Sequence, residues 1–393
     1  MAPAWRLRLL YFLHYGAVGT LLPYFAPYLR GLGFSGTQIG TVQMLGPLVA
    51  PLAALGWAAL ADRTGAPERA LRLATGVALA AACLLPLAAT PLAVGAVVLA
   101  QALGDRAVVP LLDSVTLEHV RRVPGASYAR IRLGGSLGFA ALALLMGGLL
   151  ALRGDRPGDP LLPLTVLALV AALAAAARGL PHVSPPAGPR PGLAELRALL
   201  RDRRLLGLLA VGALHWLACA PFHLFFGLLV RERGLPSAVT GLGMGAGVAA
   251  EVAFLLWFPR LEGRFRLRTL LGAAFAGSAL RWVLLSRAES AAAVIGLQLL
   301  HGLTFGLFWG STVAALGRLV PQRLRSTGLA LFSAVVFGGG NALGYQLAGL
   351  GYDHYGAVAP LFWWAGLIEL LPLSGALLAS HLHRLGTWSK RGK

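Results

Sequence analysis

Of its 393 residues, 57% are hydrophobic and 12% charged, whereas a soluble globular domain carries roughly 25% charged residues. The net charge of +19, from 34 Lys and Arg against 15 Asp and Glu, would suit nucleic acid, but the cations sit in short breaks between apolar runs and not on amphipathic or aromatic-interleaved faces. Composition therefore excludes a soluble domain and a nucleic-acid binder, and describes a polytopic membrane protein.

Apolar runs of roughly 20 residues, enough to cross a bilayer, predict helices over 6–29, 37–60, 70–89, 92–118, 131–152 and 161–179, then over 205–230, 236–258, 267–286, 290–317, 325–350 and 357–381. The first run, Leu9 to Leu29, is too long for a signal-peptide core and no small-residue cleavage pattern follows it, so it is expected to remain as helix 1. Cations concentrate after the even-numbered helices: Arg63, Arg69 and Arg72; Arg121, Arg122 and Arg130; Arg260, Arg264, Arg266 and Arg268; Arg318, Arg323 and Arg325. Odd-numbered connections are poorer, with Arg30 alone, Arg153 and Arg156 offset by Asp155 and Asp159, and Arg287 near Glu289. By the positive-inside rule this predicts a multi-pass protein of the cell (inner) membrane with both termini cytoplasmic.

A proline-rich stretch, PHVSPPAGPRPG, followed by the basic LAELRALLRDRR divides the chain. The expected organisation is an N-terminal six-helix bundle over 1–180, a cytoplasmic linker over 181–204, a C-terminal six-helix bundle over 205–385 and a basic tail over 386–393. The halves echo each other, RVPGASYARIRLGGS after helix 4 against LVPQRLRSTGLALFS after helix 10, as in transporters built from repeated halves.

Cys83 and Cys219 lie in apolar runs without spaced Cys or His partners, so neither a disulfide framework nor a metal site is expected. With no phosphate-binding loop, His-Glu-x-x-His pair or nucleophile motif, neither an enzyme nor a cofactor is expected. The functional signal is the set of ionisable groups within spans, each costing about 2.5–3.5 kcal/mol at mid-membrane on insertion scales. These are Asp113 in VVPLLDSV, Arg132 in YARIRLGGSLGF, Glu251 in GVAAEVAF, Arg281 in SALRWVLL and His301 in LQLLHGLTFG. Asp105, beside Arg106, is a further intramembrane acid, while His14, His215 and His223 sit among aromatics and read as ordinary hydrogen-bonded residues. The plain alternative for the charges is structural ion pairing. Gly134 with Gly138, Gly243 with Gly247 and Gly340 with Gly344 form small-xxx-small pairs that let helices approach closely.

In the loop after helix 2, ADRTGAPERAL resembles the signature loop of the major facilitator superfamily, Gly-x-x-x-Asp-Arg-x-Gly: Asp62, Arg63 and Gly65 match, and Ala58 replaces the first Gly. From YFLHYGAVGTLLPYF through PLLDSV, RIRLGGSLGF, AEVAF, LRWVLL and LLHGLTFGLFW, the chain resembles the subfamily of 3-phenylpropionate transporters and lactose permease-like proton symporters. The resemblance implies an all-α membrane protein of twelve transmembrane helices in two pseudo-symmetric six-helix bundles around a central polar cavity. It implies Asp113 and Arg132 as substrate-binding residues, Glu251, Arg281 and His301 as the proton-coupling cluster, and Asp62, Arg63 and Gly65 as a conformational loop. The glycine pairs are then expected where the halves rock, and Tyr24, Phe305 and Trp309 along the cavity. Thr304 stands where the lactose permease carries a proton-bearing carboxylate, and Trp309 where some relatives have a second His, so coupling would rest on Glu251, His301 or the helix 4 acids. The leading expectation is a monomeric secondary transporter in membrane lipid, bringing in a small organic acid such as an aromatic carboxylate with protons. The alternatives are a sugar or nucleoside proton symporter, proton-coupled efflux of amphipathic compounds, and a non-transporting scaffold.

Overall fold

The computed structural model describes residues 4–182, 195, 197 and 199–376. The expected basic tail over 386–393, the end of the last predicted helix and most of the linker over 181–204 lie outside the described residues. Among the described residues eleven helices are long and apolar enough to cross a membrane, and a bent pair makes a twelfth. In chain order, α1 is the pair Ala4–Leu21 and Phe25–Gly31, bent by 43°, and α2 to α6 are Gly36–Thr64, Pro67–Leu87, Pro91–Arg122, Tyr128–Leu152 and Leu161–Arg178. Then α7 to α12 are Arg203–Glu232, Ser237–Arg264, Leu267–Arg287, Ala291–Leu319, Thr327–Tyr355 and Ala359–Ala376. The all-helical, twelve-span expectation holds. Helix 1, expected unbroken over 6–29, bends beside Pro23, which lacks a backbone donor.

Local chemistry sets the helix ends. Ser35 and Gln38 form a reciprocal capping box at the start of α2, with bonds of 3.2 and 2.9 Å. Thr90, Ser127 and Ser290 cap α4, α5 and α10. Leu52, Leu87, Leu152, Leu256 and Trp257 are exposed while Arg281 and Glu369 are fully buried. That inverts the pattern of a soluble protein and suits helices whose outer faces meet hydrocarbon.

The chain forms two compact units. The first comprises residues 1–189, 223–245 and 345–354. Here α1 lies along α5 because Gly134 and Gly138 lack the Cβ atoms that would strike the backbone at Arg8 and Phe12, and Gly19 lacks one that would strike Phe139. Gly134 and Gly138 thus pack within their own unit, which corrects the expectation that they face the other half. The later segments are tied in by acids at helix N-termini, where orphan N–H groups point outward. Asp353 accepts from the Gly36 and Thr37 amides at 2.6 and 2.7 Å, and Asp155 from the Ser237 amide at 3.0 Å.

The second unit comprises residues 190–222, 246–344 and 355–393. Its core is built on Trp216, Phe275, Phe308, Phe332 and Val336. Gly340 and Gly344 press against α7 at Ala213 and Leu217, and Gly247 faces His301. Both α10 and α11 contain a π-helical stretch, Gly302–Leu307 and Ser333–Gly340. Such wide turns open the regular hydrogen-bond ladder and recur at functional sites.

Candidate functional site

Three of the five intramembrane charges meet in the second unit and two in the first. In the first, Tyr11, His14 and Tyr15 share a face of α1 by helical spacing, and the α1–α5 contact brings them to Asp113 of α4 and Arg132 of α5. The Tyr11 hydroxyl donates to Asp113, and lies 3.4 Å from Thr116 Oγ1. Arg132 Nη2 donates to the Tyr15 hydroxyl at 3.0 Å, and its guanidinium lies 5.7 and 5.5 Å from the Tyr11 and Tyr15 ring centres. Arg132 Nη1 is 3.7 Å from Asp113 Oδ1, beyond hydrogen-bond length, and has no other acceptor among the described residues. The pair is partly open: the Arg132 and Asp113 side chains are 37% and 28% exposed, although Nη1 itself is buried. Asp105 is explained by His14, whose Nδ1 lies 3.3 Å away.

In the second unit Arg281 of α9 is fully buried. Its Nη2 donates to Gln298 Oε1 at 2.5 Å, its Nη1 lies 3.1 Å from His301 Nδ1, and its guanidinium sits 4.3 and 4.5 Å from the Phe222 and Trp282 ring centres. Arginine has only donors, so Nδ1 of His301 must accept, and the ring proton lies on Nε2. That nitrogen is 3.6 Å from Glu251 Oε2, which makes a line Glu251–His301–Arg281. His301 stands at the junction of a tight turn, Gln298–Leu300, and the π-helical stretch that follows. Phe305 stacks on its ring at 5.8 Å, and Trp309 on Phe305 at 6.4 Å.

Tyr24 is elsewhere. It is buried, with its hydroxyl donating to the Ala143 carbonyl at 2.7 Å, so it ties α1 to α5. In the signature loop, Asp62 and Arg63 are at the surface and Gly65 ends α2 at φ 59°. The buried acid there is Glu68, which meets His182 Nδ1 at 2.9 Å and Arg72 at 3.7 Å.

Sequence reasoning did not single out Tyr11, Tyr15, Gln298 or Glu369. Glu369 of α12 was findable by the rule that found the others, being an acid in an apolar run. It pairs with His215 of α7 at 2.8 Å. Among the described residues, His215, Cys219 and Glu369 are the one group of metal-ligating side chains close enough to share an ion. Both imidazole nitrogens already face oxygen acceptors, Glu369 and the Thr304 carbonyl, so the group is not built for a metal. A cavity of about 660 Å³ in the second unit, rimmed by Arg203, Arg204, Arg266, Arg268 and Arg318, contains none of the intramembrane charges.

The model of the MFS_1 like family matches residues 4–362. Maltose permease of Geobacillus stearothermophilus is 35% identical over 86% of this chain and 83% of its own. A probable 3-phenylpropionic acid transporter of Escherichia coli is 27% identical over 93% and 94%. The crystal structure of nucleoside transporter NupG superposes with a TM-score of 0.80 at 17% identity, covering 96% of this chain and 99% of that one.

Proposed function

This chain belongs to the MFS_1 like family, whose members are secondary transporters of the major facilitator type and not enzymes, and from that premise we infer that it carries a small polyhydroxylated solute, a sugar or nucleoside, together with protons. The observation that supports the solute class is the 3.7 Å gap between Arg132 Nη1, a donor lacking an acceptor, and Asp113 Oδ1. A group placed there has to accept from the guanidinium and donate to the carboxylate. A hydroxyl does both; a carboxylate only accepts, and would bring a second negative charge against Asp113. The Tyr15 hydroxyl extends the same amphoteric surface, and its half-buried ring suits the apolar face of a sugar, while Tyr11 is fully buried and holds Asp113 in place. The maltose permease relative, at 35% identity, agrees.

Proton coupling is assigned to the line Glu251–His301–Arg281. Arg281 holds His301 in one tautomer with its N–H toward Glu251, so a proton arriving on that carboxylate changes a bond His301 makes. An aromatic carboxylate is the second reading, favoured by the relative named a probable 3-phenylpropionic acid transporter, which matches 93% of the chain. Exchange in proteoliposomes with maltose, uridine, 3-phenylpropionate and its amide separates the two. Competition by maltose or uridine, with none by 3-phenylpropionate, is the expected result. Exchange of the acid but not its amide overturns the polyhydroxyl reading. The Arg-rich connections support a topology with both termini cytoplasmic. With Cys83 and Cys219 replaced, single cysteines at Gly125 and Gly154 should label from opposite faces.

A further inference from the structure

His215 of α7 and Glu369 of α12 are both 0% exposed, lie within the second unit, and have no part in the coupling line just described. Glu369 Oε1 and Oε2 are 2.8 and 3.0 Å from His215 Nδ1, and Trp282 Nε1 is 3.4 Å from Oε1. The other ring nitrogen, Nε2, lies 3.0 Å from the Thr304 carbonyl oxygen. A carbonyl cannot donate, so Nε2 carries a hydrogen. That leaves Nδ1 facing a carboxylate, and one proton has to lie between them. It sits either on Nδ1, giving imidazolium and carboxylate, or on Glu369, giving a carboxylic acid that donates to a neutral ring. Without it two sets of lone pairs would face each other, and a bare negative charge would be stranded in a membrane span. In either form the pair holds one proton and is neutral.

Phe275 and Phe308 pack on the imidazole with ring centres 5.4 and 4.3 Å away. From α7 Cys219 Sγ approaches Nε2 at 3.8 Å; from α9 the neighbouring charge is Arg281, next to Trp282; from α10 the neighbouring titratable group is His301, three residues before Thr304. The Thr304 carbonyl belongs to the π-helical stretch Gly302–Leu307, which begins one residue after His301. His215 therefore supplies a side-chain donor to a carbonyl in the turn that orients His301.

We propose that the His215–Glu369 pair is a second proton-binding site of the transport cycle, which loads and releases one proton and through the Thr304 carbonyl fixes the turn carrying His301. On release, in a conformation of the cycle that admits water to the pair, the proton passes to that water, the pair changes from neutral to one net negative charge, and Nδ1 and Glu369 repel unless the ring turns. Turning withdraws Nε2–H from Thr304 and frees the π-helical stretch to move. The role in transport rests on the proton-coupled reading above; the proton on the pair does not.

The test uses full-length protein and two substitutions. Glu369→Gln retains a donor toward Nδ1 and cannot titrate; His215→Gln removes the ring while retaining an amide. In proteoliposomes, both are expected to keep maltose exchange and to lose accumulation driven by a pH gradient, with the double variant no worse than either single one. If wild type accumulates maltose on a pH gradient and both variants do so equally well, the site is overturned and the coupling reading stands. If wild-type uptake ignores the gradient, the coupling reading fails, and a readout that needs no solute decides the pair. In detergent, ring-nitrogen NMR of protein labelled at histidine, with the His215 signals assigned by their loss in His215→Gln, should show a pH-dependent change that Glu369→Gln abolishes. A wild-type His215 signal that stays fixed across the pH range in which the protein remains folded overturns the site by itself, without any transport measurement.

Discussion

Arg132 and Arg281 are both arginines set in apolar helices, and their surroundings differ in kind. Arg132 is 37% exposed, 3.7 Å from its carboxylate, and keeps one donor without an acceptor. Arg281 is 0% exposed, with two nitrogens bonded to neutral Gln298 and His301, its Nε alone lacking an acceptor among the described residues, and two adjacent aromatic rings packed on its guanidinium. Desolvating a charge is costly, and the cost is recovered only where partners are fixed. Arg281 has fixed partners and so holds a structure together. Arg132 has a loose one, which suits a group that must exchange its partner for a passing solute. The difference predicts that changes at Arg281 register first as lost stability, and changes at Arg132 as lost binding.

The largest effect is therefore expected at Arg281→Ala. It strands Gln298 Oε1 and His301 Nδ1 and opens a void beside Phe222 and Trp282, a loss of about 3–5 kcal/mol on the scale of large-to-small core changes. Thermal unfolding in detergent should show a large fall in midpoint. A midpoint close to wild type would mean that the buried cluster is as loose as the open one, and the contrast would break.

Next comes Gly138→Ala, in which the new Cβ strikes the Phe12 backbone. Overpacking of this kind costs about 1–3 kcal/mol. Because the same α1–α5 contact carries Tyr15 to Arg132, solute affinity should fall along with stability. Stability loss with unchanged affinity would show that the tyrosines reach the open pair independently of this contact.

Arg132→Lys and Asp113→Asn sharpen the contrast from the other side. Lysine keeps the charge but not the fork that bonds Tyr15 and leaves Nη1 for the solute, so affinity should drop about tenfold, or about 1.4 kcal/mol. Asp113→Asn should behave alike. Thermal midpoints should barely move, because exposed ion pairs contribute little to stability.

These expectations mark what the sequence discloses. Span number and the five charged positions were legible because hydrophobic runs and charges within them are one-dimensional signals. Tyr11, Tyr15 and Gln298 were not, since an uncharged polar group leaves no mark in hydropathy and its partner is chosen by helix packing. The glycine pairs announced close helix approach, but Gly134 and Gly138 could meet either α1 or another half, and spacing alone does not choose. His215 passed as an ordinary residue because its meaning depends on Glu369, more than 150 positions away, and on a π-helical stretch with no sequence signature.

The smallest effect concerns the connection between α5 and α6, where charge is structural and lies outside the spans. Arg153 Nε donates to Asp159 Oδ2 at 2.7 Å, and the Leu161 amide donates to Oδ1 at 2.9 Å, at the start of α6. The hydrogen bond from Arg153, opposed by burial and helped by the Leu161 amide, holds the Asp159 carboxyl below its ordinary value of 3.8. A carboxyl with a depressed pKa in the folded state adds stability that is complete above its unfolded pKa and is lost as pH falls through the folded one. The pair should thus help at neutral pH, begin to lose that help as pH falls past about 4, and cease to help once pH is below the depressed folded value. Asp159→Asn should lower the thermal midpoint at pH 7 by about 2 °C or less, given that Arg153 is largely solvated. At acidic pH the two proteins should converge. A difference that persists there would assign the effect to side-chain packing or hydrogen bonding that asparagine does not reproduce, and not to the charge.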